Sequence, residues 1–275
     1  MIPSIPLPLE DSHLDILGKA QRGLLLTDTA LIARAGISAD AFAQIQAGEV
    51  LPAPLAALAA ALNLGPRALA AAAATAWRPE PVATPGLQTF TTDFEDMTVN
   101  SYLVWDAATS AAVAFDTGAS VGSMLEFAAA EGLHIGLILI THTHADHIMD
   151  LDRLRAETGA PAWLGEGEPA LAGAQPFAAG KSFQVGALTI ETRLTWGHAE
   201  GGITYVVRGL ARPIAIVGDA IFAGSMGGGK VSYAAALRST RDEILSLPGE
   251  TLLAPGHGPL TTVAEQNAHN PFFAI

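Results

Sequence analysis

A hydrophobic run, Leu137-Ile138-Leu139-Ile140, passes directly into Thr141-His142-Thr143-His144-Ala145-Asp146-His147. The first segment reads as a buried strand. The second places four potential metal ligands within six positions of its end. His142 and His144 are two apart, so in extended backbone they point to the same side. Asp146 and His147 follow as the chain turns into a helix, which aims a second pair into the neighbouring space. Such a cluster is costly to explain as core packing. Neutral imidazole and carboxylate are ligands that zinc, iron and manganese all accept, and the end of a strand holds them on a rigid platform.

Three more residues of the same chemistry appear singly, each after an expected strand. They are His198 in Trp196-Gly197-His198, Asp219 in Gly218-Asp219, and His257 in Pro255-Gly256-His257-Gly258. Glycine beside each suits a tight turn and close backbone approach. A shared site requires these strand-to-loop junctions to meet at one edge of the sheet. His13, His134 and His269 are read as surface or capping histidines. The chain has no cysteine, which excludes disulfides, thiolate zinc sites and cysteine nucleophiles.

Two regions differ in texture. Residues 12–76 read as helical throughout, with Ser12, Thr27 or Asp28, and Ser38 as N-caps, and with Leu55, Leu58, Leu62 and Leu69 as an apolar stripe. The segment from Trp77 to Gly86 holds three prolines and marks a boundary. The expected division is a helical domain over residues 1–80, a linker over 81–86 and a catalytic domain over 87–275. Within the last, strands are expected at Ser101–Trp105, Ala112–Phe115, Gly136–Ile140, Ala187–Arg193, Gly202–Val207, Ile214–Val217 and Thr251–Leu253. Helices are expected at Val121–Glu131, Ile148–Thr158 and Tyr233–Ser246. Strands interleaved with helices imply an α/β architecture preceded by a small all-α domain.

The 27 acidic and 14 basic residues leave a net charge of −13. That balance argues against nucleic acid as the main partner, because phosphates require clustered Lys and Arg. A bound divalent metal can still reverse the field locally for a small anionic substrate. No uninterrupted apolar run reaches membrane-spanning length. Met1 to Glu10 carry three prolines and no basic residue, unlike a secretory signal. A soluble cytoplasmic protein is the expectation.

The series His142-x-His144-x-Asp146-His147, His198, Asp219 and His257 resembles the full ligand set of the metallo-β-lactamase superfamily. That resemblance covers roughly residues 87–275 and implies a four-layer αβ/βα sandwich with the site at one edge. It implies two divalent ions, zinc first, with iron or manganese as alternatives. His142, His144 and His198 would hold one, Asp146, His147 and His257 the other, and Asp219 would bridge them. Asp116 is similar to the family's aspartate that orients a ligand histidine. The segments Gly218–Ser225, Pro255–Thr262 and His269–Phe272 resemble the short bacterial glyoxalase II-like proteins. The implied reaction is hydrolysis of a thioester, or a related acyl compound, by a metal-bridging hydroxide that Asp146 could orient.

Lys230, after Gly227-Gly228-Gly229, and Tyr233 are the candidate substrate contacts, with a flexible loop and helix packing as the competing readings. Leu26 to Leu69 resembles a Cro or phage-repressor helix-turn-helix, but its recognition helix, residues 38–47, has no Lys or Arg and carries Asp40. Dimerisation, or covering of the active site, is the expected role of that region. The rival activities are a mononuclear-iron persulfide dioxygenase, a lactone hydrolase and, in a different class, a metal-sensing DNA-binding regulator.

Overall fold

The computed structural model describes residues 7–275, so the first six residues of the proline-rich start, whose sequence is unlike a secretory signal, lie outside the described residues. The chain begins with five helices: α1 (His13–Gly23), α2 (Asp28–Ala35), α3 (Ala39–Gln46), α4 (Pro52–Ala61) and α5 (Pro66–Ala73). Their starts follow from local chemistry. Ser12 and Asp15 form a reciprocal capping box on α1. Thr27 and Ser38 accept hydrogen bonds from the first turns of α2 and α3. Proline opens α4 and α5, where a missing N–H costs nothing. The expected stripe of Leu55, Leu58, Leu62 and Leu69 is buried against Ile16, Leu31 and Ile45.

Two six-stranded sheets follow. The first runs β1 (Leu87–Phe94), β2 (Met97–Asp106), β3 (Ala111–Phe115), then α6 (Gly122–Ala130), β4 (His134–Leu139), α7 (Ala145–Ile148), α8 (Leu151–Thr158), β5 (Ala162–Gly165) and β6 (Ala174–Phe177). The second contains β7 (Ser182–Val185), β8 (Leu188–Leu194), β9 (Ile203–Arg208) and β10 (Ile214–Gly218). After α9 (Tyr233–Ser239) and a π-helical turn at Thr240–Ile244 come β11 (Leu252–Pro255), β12 (Thr261–Thr262) and α10 (Val263–His269).

Tyr102, Phe115, Leu139, Tyr205, Ile216 and Leu252 fill the space between the sheets. Helices α6 and α8 cover the outer face of the first sheet, with Met124 and Leu154 on Ile138. The π-helical turn and α10 cover the second, with Ile244 and Val263 beside Leu253. The result is four layers, as expected. Strands buried on both faces explain the unbroken apolar run that precedes His142.

Three local expectations need correction. The helix expected over Ile148–Thr158 is broken after α7, where the Asp150 carboxylate accepts from the Val121 N–H at 2.9 Å and holds the chain out of helical geometry. Strands β1, β5, β6, β7 and β12 were not expected; β5, β6 and β7 are only four residues long and β12 only two. The helix expected through Ser246 keeps only two regular turns before widening into its π-helical turn.

Strand direction fixes where the site can be. β3 and β4 are parallel, as are β10 and β11, while β8 and β10 each pair antiparallel with β9. The chain therefore leaves β8, β10 and β11 at one edge of the second sheet, and leaves β3 and β4 at one edge of the first. Among the described residues no helix is long and apolar enough to cross a membrane.

The helical region is not separate from the sandwich. Met226, Tyr233, Ala236 and Phe272 belong to the same buried cluster as the α1–α5 leucines. The Gly65 N–H donates to Pro271 O at 2.7 Å, and Trp77 stacks on His269 at 4.8 Å. Residues 81–86 carry no helix or strand. Phe272 is 1% exposed. Its replacement by alanine should cost about 3–5 kcal/mol and lower the melting temperature, measured by thermal denaturation. Because the cluster spans both regions, helices and sandwich should melt together in wild type; two separated transitions would contradict the shared core.

Candidate metal centre

His142 and His144 lie on the loop after β4, and Asp146 and His147 on the short α7. His198 follows β8, Asp219 follows β10, and His257 follows β11. All seven meet. The ligand atoms of His142, His144, His198 and Asp219 lie within 4.8 Å of one another, and those of Asp146, His147 and His257 form a second such group. Glycine allows the approach. Gly218 has φ +50, and a Cβ there would stand 2.7 Å from Thr141 Oγ1. A Cβ on Gly256 would collide with Asp219 and the His147 ring.

Outward hydrogen bonds decide which nitrogen of each imidazole faces inward. His147 Nδ1 pairs with Asp116 Oδ2 at 2.8 Å, His198 Nδ1 with Gly227 O at 2.8 Å, and His257 Nδ1 with Thr98 O at 2.6 Å. His142 Nδ1 meets Thr141 Oγ1 at 3.0 Å. Each of these rings therefore donates outward from Nδ1 and turns its Nε2 towards the centre. His144 points inward through Nδ1, 2.9 Å from His142 Nε2 and 3.1 Å from His198 Nε2.

Asp116 does more than the single orienting contact expected of it. Its carboxylate accepts from the Thr141 N–H and hydroxyl, each at 2.7 Å, as well as from His147. Thr141 thereby keeps its oxygen lone pair for His142, so one buried acid steers two imidazoles. Asp219 reaches both groups. Its Oδ2 lies 3.3 Å from His198 Nε2 and 3.5 Å from His257 Nε2, and its Oδ1 lies 3.3 Å from His147 Nε2. In the second group Asp146 Oδ2 is 3.2 Å from His257 Nε2 and 3.5 Å from His147 Nε2.

The donors fit a divalent cation. Bonds of ~2.1 Å in a tetrahedral zinc site place ligand atoms about 3.4 Å apart, close to the separations above. His147 Nε2 and Asp219 Oδ1 are buried without a hydrogen-bond partner although they face each other. No hydrogen bond of good geometry joins them, and a cation in place of the His147 proton would satisfy both at once.

The groups differ electrostatically. Burial holds His142 well below the usual imidazole range, and burial, with the charge of His198 next, lowers His144 to about 4. His198 is lowered as well, again chiefly by burial. Burial also opposes charge on His147 and His257. There it is outweighed by Asp219 with Asp116, and by Asp219 with Asp146, which raise the two to about 10 and about 11. Their positive charge holds Asp219 well below the carboxylate range despite its burial.

In the metal-free protein at neutral pH, His147 and His257 are thus protonated while His142, His144 and His198 are not. A cation entering the second group must displace both protons; one entering the first displaces none. Zinc titration near pH 7, read with an indicator dye in weak buffer, should release about two more protons for the ion in the second group than for the ion in the first. Affinity for the ion in the second group should rise with pH through the neutral range, and more steeply than affinity for the ion in the first. A pH-independent affinity for both ions would contradict this.

Several contributors carried no sequence signal. Glu168 is 8% exposed and accepts from the Thr143 N–H and hydroxyl and from the Gly201 N–H, joining the His142–His144 loop to the His198 loop. Pro8 and Glu10 lie against Gly258, and burial raises the Glu10 carboxyl even though His257 partly offsets it. Of the two expected substrate contacts, Lys230 is exposed, and its charge helps to lower His144 and His198. The Tyr233 ring instead lies on Gly23 of α1 and faces Phe272, and burial pushes its hydroxyl up to about 12.

Residues 95–257 match the family described as the metallo-beta-lactamase superfamily. Among similar proteins, the probable metallo-hydrolase YqgX of Bacillus subtilis is 31% identical over 183 residues, spanning 58% of this chain and 85% of that one. A hydroxyacylglutathione hydrolase of Methylobacterium sp. is 30% identical over 179 residues, 63% of this chain and 66% of its own. The mitochondrial persulfide dioxygenase ETHE1 of Bos taurus is 31% identical over 151 residues, 51% and 57%. Of solved structures, ETHE1 from Myxococcus xanthus has a TM-score of 0.60 at 28% identity, over 68% of this chain and 84% of that one. TTHA1623 in a di-iron-bound form has a TM-score of 0.53 at 26% identity, over 66% and 99%. With the layered fold, the edge site and its donor set already in place, the family match establishes that the chain belongs to the metallo-beta-lactamase superfamily and is a metal-binding hydrolase of that fold.

Proposed function

We propose that the protein hydrolyses a thioester or a related acyl compound with two divalent ions, zinc first. His142, His144 and His198 would hold one and Asp146, His147 and His257 the other, with Asp219 within reach of both groups. The observation that carries this reading is the placement of Asp219, whose carboxylate oxygens face nitrogens of both groups at 3.3–3.5 Å. Ions held in such a pair polarise a carbonyl and bring the pKa of water near neutrality.

The chain's own residues supply position. Asp116, Thr98 O and Gly227 O lock the imidazole rings, so the site needs no reorganisation when substrate arrives. Asp146, kept ionised by His257 and His147 despite burial, can accept a hydrogen bond from water and direct it at the acyl carbon. A thiolate leaves with little protonation, so no further general acid is demanded. Likeness to a hydroxyacylglutathione hydrolase and the motifs around Asp219 and His257 support a thioester over other acyl groups.

Elemental analysis of protein purified without added metal, followed by a panel of thioesters, lactones and persulfides, tests the reading. Two zinc ions with thioester turnover uphold it. One iron with oxygen uptake on a persulfide would replace it with the activity named for the bovine relative. His144→Ala and Asp219→Ala should each lose metal and turnover; near-normal activity at full metal content would refute the assignment. Asp116→Asn should keep the fold and weaken metal binding by about 10–100-fold, read by chelator competition.

A further inference from the structure

A pocket of about 410 Å³ opens between α1 and the loop after β10. Lys19, Arg22 and Gly23 line one side, and Gly227, Gly228, Gly229 and Lys230 the other. The chain has only 14 basic residues against 27 acidic ones, so three cations at one opening run against its average charge. They are not equivalent. Lys19 is held in place: its Nζ donates to Met226 O at 2.8 Å, pairs with Asp11 and stands 5.0 Å from the centre of the Phe222 ring. Asp11 also accepts from the Ser225 hydroxyl, so most of the Lys19 charge is answered locally.

Arg22 and Lys230 are exposed, and neither joins an ion pair among the described residues. The N–H groups of Gly228, Gly229 and Lys230 donate to no backbone oxygen among the described residues. Free amides next to two unpaired cations are the chemistry of an anion site. The pocket adjoins the metal centre through the same loop. Gly227 O and Gly228 O accept from His198 Nδ1 at 2.8 and 3.2 Å.

We propose that α1 forms the far wall of the substrate site, where Arg22, with Lys230 and the loop amides, binds the anionic end of the thiol carrier of an acyl thioester. Its carboxylate or phosphate then sits between α1 and the loop while the acyl end reaches the metal centre. This gives the helical region a role in substrate selection that the family match, beginning at residue 95, does not touch. The inference rests on the thioester reading only for the sulfur-bearing end of the ligand; the anion site itself does not depend on turnover.

The test is calorimetric titration of the metal-loaded full chain with S-methylglutathione and with desulfo-coenzyme A. These carry carboxylates and phosphates respectively, and neither has a free thiol to ligate metal. The diethyl ester of S-methylglutathione is the control with its carboxylates blocked. At least one anionic probe should bind, more weakly as ionic strength rises, and the one that binds identifies the anion. Arg22→Ala should weaken that binding about tenfold, the loss of one charge-assisted contact, and Arg22→Lys should restore part of it. Lys230→Ala should have a similar effect. Because both side chains are exposed, the melting temperature should not change. If S-methylglutathione is the probe that binds, its ester should bind at least tenfold more weakly. Binding of neither probe, or unchanged affinity in Arg22→Ala, overturns the proposal, the latter even if Lys230→Ala weakens binding. Absence of thioester turnover with binding intact would instead count against the proposed function.

Discussion

Five imidazoles and two carboxylates converge in one mostly buried space, and four of the five rings, all but His144, are held there from behind. Without the outward acceptors, each histidine could rotate or switch tautomer and pair with its neighbour, as His142 and His144 already approach doing at 2.9 Å. Asp116, Thr141 and three backbone carbonyls remove that freedom. The carbonyls come from different parts of the chain, Thr98 on β2 and Gly227 and Gly228 beyond β10. Orientation of the ligands is therefore a property of the folded sandwich, and the sheets have to be docked before the donors can point correctly.

The same arrangement divides the site into unequal halves. Three histidines stay neutral because burial penalises their charge, and two are charged because Asp219, Asp116 and Asp146 lie against them. The metal-free cluster is thus already an ion-pair network around Asp219. That network offsets part of the cost of burying carboxylates where no cation is bound.

Much of this was legible in the sequence. The His142–His147 cluster shows itself because four ligands fall within six positions after a strand, and the three single ligands because each follows a strand and sits beside glycine. The interior strands were visible as β-branched runs. The short strands β5 to β7 were not, because four residues, with Pro176 among them, give too little alternation to recognise. Glu168, Thr98 and Lys19 were invisible for another reason. A carbonyl acceptor has no residue type, an acid whose partners lie 25 or more positions away leaves no local pattern, and Lys19 meets the Met226 carbonyl from 207 positions away. The helix caps of α1 to α3 were readable since capping acts within four residues, whereas the attachment of those helices to Tyr233 and Phe272 depends on surfaces far apart in the chain.

Glu168 has a consequence for how such a scaffold can change over time. By gripping Thr143 and Gly201 together, it makes the two loops that carry His142, His144 and His198 a single mechanical part. An insertion in either loop would drag the other along. Neither segment can be swapped alone for that of a distant cousin; a successful graft has to bring the acid, the threonine and the glycine as one inherited unit.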